Sequence, residues 1–117
     1  MIQANNINGD TLYAPRGYWT LTPAMKKFIV NGVGPKALAK YIPNTILGLD
    51  ITEEANVHDY CWFFGYNFKD SNDLFYYNVK RSIKESGGWK ASLRHAVNEI
   101  YYALLYTAGH LFYEQVR

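Results

Sequence analysis

Thr52-Glu53-Glu54-Ala55-Asn56-Val57-His58-Asp59-Tyr60-Cys61-Trp62 is the stretch on which the fold turns. It sets an imidazole beside a carboxylate within an apolar, aromatic, helix-forming run. Consecutive residues on a helix point about 100° apart, so His58 and Asp59 cannot bond well to each other, yet both can border one cavity from the same turn. A histidine titrates near neutrality and can serve as a general base. An aspartate offers hard oxygens suited to Ca2+ or Mg2+. The plainer alternative is a half-buried histidine that happens to adjoin a solvated aspartate. Thr52 reads as the cap of a helix over residues 52–66, with Ala55, His58 and Trp62 along one stripe and Asp59 and Phe63 beside it. The polar pair then faces inward or into a cleft.

Working outward towards the N-terminus, residues 46–51 read as a short extended run, and Ile42-Pro43-Asn44-Thr45 as a break. A turn or two of helix fits residues 36–41. Thr22 followed by Pro23 is a helix start, with Met25, Phe28 and Ile29 as the apolar face. That helix stops at Asn31-Gly32-Val33-Gly34-Pro35, where glycines free the backbone and the proline prevents continuation. Before it, Asn8-Gly9-Asp10 and Ala14-Pro15-Arg16-Gly17 are turn signals around Thr11-Leu12-Tyr13, which reads as an irregular arm.

Towards the C-terminus, residues 67–73 are polar enough for a loop that closes with a cap at Ser71 or Asn72. Leu74, Phe75, Val79 and Ile83 then mark a second helix, antiparallel to the first because the connection is short. Asp73 falls in its first turn, where it either completes the cap or reaches across to His58. Ser86-Gly87-Gly88 ends that helix. From Trp89 onward, Leu93, Val97, Ile100, Leu104 and Leu111 keep helical spacing. The expected fold is therefore an all-α single small domain with two antiparallel core helices, a long C-terminal helix and an irregular N-terminal half. Its parts are an arm over 1–21, loop and site helices over 22–83, and a final helix over 89–117.

Of the 117 residues, 49% are hydrophobic and 19% charged, enough for one real core and too apolar for disorder. A net charge of +2 with both signs dispersed gives no electrostatic case for nucleic acid. Cys61 is the single cysteine, so no disulfide forms within the chain. The opening residues lack the basic start and apolar run of a secretory signal, and residues 100–113 are too short and polar to span a bilayer. The expected location is cytoplasmic, or outside by a non-classical route. Eleven tyrosines, six phenylalanines and three tryptophans suit a tightly filled core or a surface that meets lipid. Trp62, Phe63 and Phe64 could flank an acyl chain, and Tyr18 and Trp19 a headgroup boundary.

Set side by side, the Asn-Gly-x-Gly-Pro bend, the Pro-Asn and Gly-Leu-Asp-Ile loop, the His-Asp pair and the later Asn-Asp before aromatics resemble the catalytic core of the phospholipase A2 superfamily, closest to its bacterial and fungal branch. The resemblance covers residues 30–79. It implies that His58 is the general base, Asp73 the acid that orients it, and Asp59 the carboxylate that binds Ca2+. Gly32 would add a carbonyl ligand, with Asn31 or Gly34 as partners. It further implies calcium-dependent release of fatty acid from phospholipid at a membrane surface. Trp62 stands where family members often have tyrosine, and the usual disulfides are absent. A non-catalytic module on the same scaffold, binding a membrane or a protein, is the alternative. His95 and Glu99 lie one turn apart but lack a third ligand, and Cys61 is not aimed at His58, so neither suggests a second centre.

Overall fold

The helix that carries His58 is covered on two sides, and the rest of the chain is arranged around it. The computed structural model describes residues 2–7, 10–31 and 45–116, with side chains over 2–5, 11–27 and 45–107. Strands β1 (Ile2–Ile7) and β2 (Asp10–Pro15) form an antiparallel hairpin, followed by a 3-10 helix, Arg16–Thr20, and helix α1, Pro23–Asn31. A two-residue pair, β3 (Thr45–Ile46) and β4 (Leu49–Asp50), leads into α2 (Thr52–Phe63). Helices α3 (Phe68–Ser86) and α4 (Ala91–Val116) complete the chain.

One face of α2 meets α3 and α4. There Trp62 joins Ile46, Ile51, Phe75, Val79, Ile83 and Leu105 in a buried cluster. The other face meets the hairpin and the 3-10 helix, where Val57, Tyr60 and Cys61 pack on Leu12, Ala14 and Tyr18. A helix buried on two sides needs apolar residues on both, so α2 shows little amphipathic contrast. Fully burying one such side chain stabilises the fold by about 1.5–3 kcal/mol. Among the described residues no helix is long and apolar enough to cross a membrane.

The N-terminal arm is not irregular. Ile7 pairs with Asp10, which leaves Asn8-Gly9 as a two-residue connection, and those two positions lie outside the described residues. Alternation in β2 turns Leu12 and Ala14 inward. The open edge of β2 is met by Asn78 of α3, whose Oδ1 accepts from Tyr13 N at 2.8 Å and whose Nδ2 donates to Tyr13 O at 2.7 Å. One side-chain amide thus does what a neighbouring strand would do. Gly17 lies so close under Tyr60 that a Cβ there would run into its hydroxyl. The fold is mostly helical with two short strand pairs, and so not all-α as expected.

Three boundaries differ from the sequence reading. Residues 46–51 form a tight turn, with Leu47 at φ 48° and Gly48 at φ 87°, the left-handed pair that joins a two-residue hairpin. Arg94 of α4 holds this turn by donating to the carbonyls of Ile46 and Leu47. Helix α2 ends at Phe63 rather than residue 66, because Gly65 turns left-handed and Tyr66 N closes on Cys61 O. Helix α3 begins at Phe68, inside the segment that reads as a loop, with Asn67 as its cap accepting from Asp70 N. The proline-led start of α1 is as expected, with Met25 N donating to Thr22 Oγ1. The breaks expected over 32–44, and the turn of helix over 36–41, lie outside the described residues.

Candidate functional site

The early start of α3 decides which side chain meets the histidine. Counted from Asn67 as cap, Asn72 falls on the same stripe as Phe75 and Val79 and points at α2, while Asp73 lies about 100° further round and points at α4. His58 Nε2 is bonded to Asn72 Oδ1 at 2.8 Å. An amide oxygen only accepts, so the ring proton sits on Nε2 and the lone pair is left on Nδ1. Asp73 instead accepts from Tyr102 at 2.7 Å, from Tyr106 at 3.3 Å and from Lys69 at 2.6 Å. The expected pairing of Asp73 with His58 is therefore corrected to Asn72 with His58. The sequence spacing allows this face, with Asn72 three residues before Phe75 and seven before Val79, but it leaves Ser71 and Asp73 open as well.

His58 is 5% exposed, with its ring 5.2 Å from that of Trp62 and 5.6 Å from that of Phe75. Burial disfavours the imidazolium and holds its pKa down at about 4, against which the Asn72 bond works only in part. The histidine is neutral throughout the physiological range. Asn72 is itself fully buried, and its Nδ2 has no hydrogen-bond partner among the described residues. A missing donor bond at such a depth costs about 1–3 kcal/mol.

Asp59 is the unusual neighbour. It is half-buried on the next position of α2, and burial alone pushes its pKa up to about 7. No hydrogen bond or ion pair reaches it among the described residues. A desolvated carboxylate without a donor is a poor resting place for a bare charge and a good one for a cation. Of the other expected ligands, Asn31 is the last residue of α1 with its side chain outside the described residues, and Gly32 and Gly34 lie outside them altogether. Among the described residues no three His, Cys, Asp or Glu side chains converge as a metal site. Asp59 fits a hard divalent ion as one ligand, provided that backbone or amide oxygens supply the rest.

The residues expected to flank an acyl chain separate. Trp62 is core, 2% exposed, whereas Phe63 and Phe64 stand at the surface. Trp19 is tied back by a bond from its Nε1 to Gln3 O, and Tyr18 is buried with its hydroxyl on Glu53, which also takes Lys26. A cavity of about 430 Å3 opens between the N-terminal strand and the start of α3, lined by Ile2, Cys61, Tyr66, Ser71, Leu74 and Tyr77 together with the carboxylates Asp70 and Asp73. It does not include His58 or Asp59.

Cys61 is buried, and burial pushes its thiol up to about 12, with Ser71 acting in the opposite sense. Because the thiolate is the reactive form, native protein at pH 8 is expected to react with iodoacetamide at least about 100-fold more slowly than denatured protein. Alkylation timed by mass spectrometry checks this, and equal rates in the two states would contradict it. No family model, curated protein or solved structure matches the chain.

Proposed function

We propose that the chain is a calcium-dependent ester hydrolase of phospholipase A2 type, acting on phospholipid at a membrane surface, with His58 as general base. The observation that carries the reading is the bond from His58 Nε2 to Asn72 Oδ1 beside a carboxylate, Asp59, that lacks a polar partner among the described residues. The bond fixes one tautomer and leaves Nδ1 to take a proton from water as that water attacks an ester carbonyl. An amide can orient an imidazole in this way without a charge of its own. It stabilises the imidazolium only in part, so this base is weaker than one backed by a carboxylate. Bound through Asp59, with Asn31, Gly32 and Gly34 as the further candidates, Ca2+ would supply positive charge for the developing oxyanion.

Fatty-acid release from mixed phospholipid vesicles, with calcium and with chelator, tests the reading. Wild-type release is expected to need calcium. His58→Ala is expected to lower kcat by about 10²–10⁴-fold, the usual worth of general-base help. Asn72→Ala is expected to lower it by at least 10-fold with little change in KM, whereas Asn72→Asp, which adds a charge to hold the imidazolium, is expected to raise the apparent pKa of the base. Absence of release at every calcium concentration sinks the hydrolase.

A second reading, a non-catalytic binding module on the same scaffold, is favoured by one observation: the near-complete burial of His58 and its depressed basicity. Calcium-independent co-sedimentation with vesicles, without hydrolysis and unchanged by His58→Ala, is its expected signature.

A further inference from the structure

The outer face of α4 carries an apolar seam that the protein's own core does not use. Asn98 and Leu105, seven residues apart, are buried at 0% and 1% and turn one side of the helix to the core. Directly opposite lie Trp89 in the preceding turn, then Leu93, Ala96, Ile100, Ala103 and Thr107, all exposed. Trp89, Leu93 and Ile100 are 81%, 54% and 58% exposed. Their spacing runs 4, 3, 4, 3, 4, the alternation of a coiled-coil seam. We infer that this seam pairs with the same seam of a second copy of the chain, giving an antiparallel twofold dimer through α4.

Three observations choose this occupant. The seam is narrow, two positions in seven, which suits one partner helix better than the broad apolar face of a helix lying on lipid. Its flanks carry little free positive charge for anionic headgroups: between 89 and 107 the only Lys and Arg are Arg94, engaged by the carbonyls of Ile46 and Leu47, and Lys90, which lies over the Trp89 ring at 5.6 Å. Glu99, beside the seam, is drawn off towards α3 by the Tyr76 hydroxyl that it accepts. The seam is also self-complementary in size. Paired antiparallel about a twofold axis between its two halves, Leu93 faces Ala103 of the other copy, Ile100 faces Ala96, and Trp89 faces Thr107. Each large side chain then enters the gap left by a small one, as close packing requires. A parallel pair would stack large on large and small on small.

Within α4 the seam runs from Leu93 to Thr107, about 21 Å at the helical rise of 1.5 Å per residue, and Trp89 extends it from the preceding turn. With the exposures above, it would bury on the order of 500 Å2 per copy, or about 1,000 Å2 for the pair, which meets the lower bound for a specific interface. The chemistry fits a reversible dimer rather than an obligate one.

Sedimentation velocity on the full chain across a concentration series is the test. Wild type is expected to move from monomer to dimer in the micromolar range. Leu93→Glu and, separately, Ala96→Arg are expected to weaken the dimer by about 100-fold or more, with unchanged helical circular dichroism, since both positions are exposed. For the direction of pairing, a Leu93→Cys, Ala103→Cys double variant is expected to form disulfide-linked dimers on mild oxidation, and Leu93→Cys alone is not. A monomer at all concentrations overturns the proposal, as does a dimer that survives both seam substitutions. Cross-linking through Leu93→Cys alone overturns the antiparallel pairing. A monomer that binds vesicles through Leu93 overturns the choice of partner.

Discussion

Replacing Asp59 by asparagine is expected to stabilise the calcium-free protein by about 2–4 kcal/mol above pH 7 and by almost nothing near pH 4. The sign follows from which state binds the proton. The folded carboxyl, with its pKa pushed up to about 7 by burial, keeps its proton over a range in which the unfolded one, near 3.8, has lost it. Stability from this group is thus full below pH 3.8 and is lost as pH rises through 7. An amide at position 59 has the same shape and no charge to desolvate, so the loss disappears.

His58 acts in the opposite sense over an overlapping window. Its folded pKa of about 4 lies below the unfolded 6.5, so the unfolded chain binds the extra proton and stability is lost as pH falls from 6.5 towards 4. In wild type the two terms offset each other between pH 4 and 6.5. In Asp59→Asn the histidine term stands alone, and stability is expected to climb with pH across that window. Calcium separates this from a mere repair of burial, because a ligand bound to the folded state alone raises the melting temperature of wild type and not of the variant. Urea unfolding at pH 4, 5.5 and 7.5, with and without calcium, reads all of this. Equal stabilisation at every pH, or an equal calcium shift in both proteins, would count decisively against Asp59 as a desolvated cation ligand.

Asn78→Ala is expected to cost about 2–4 kcal/mol. It removes both bonds to Tyr13, at 2.8 and 2.7 Å, and leaves a backbone N–H and C=O at the covered edge of β2 without partners. Each such group carries about 1–3 kcal/mol of desolvation when unpaired, while the bonds themselves contribute about 1 kcal/mol each, so the orphaned backbone dominates. The midpoint of denaturant unfolding is expected to fall with little change in slope. Amide exchange is expected to quicken first in residues 10–15, since the hairpin loses its hold on α3 before the helices part. A variant of wild-type stability, or one in which exchange quickens evenly through all the helices, would show that this amide does not tie the hairpin down.

The elements were legible to different depths, and the differences have causes. The Thr22-Pro23 start, the Gly87 stop and the long C-terminal helix follow from local chemistry: a hydroxyl that accepts an amide bond, a residue free to turn left-handed at φ 64°, and an unbroken apolar period. The hairpin was hidden because its turn residues were recognised but its partner was not. Strands of six residues with exposed polar positions gain little alone, and what makes β2 worthwhile is a second apolar face on α2 together with Asn78, sixty-five residues away. Propensity carries no information about such a contact.

The site divides along the same line. By itself the sequence determined that His58 and Asp59 share one turn of a central helix, that α3 lies next to it, and that a single cysteine leaves packing and hydrogen bonds to hold the chain. It could not determine which side chain completes the histidine. Ser71, Asn72 and Asp73 all offered oxygens, and on a helix that already runs from Phe68 they point about 100° apart from one another, so only one of them can face His58. Only tertiary packing fixed that phase: with Phe75, Val79 and Ile83 in the core, Asn72 must face His58 and Asp73 must face Tyr102 and Tyr106. The physical reason is that a helix rotates as a rigid body, so the large apolar residues that pack best choose the heading of every polar one.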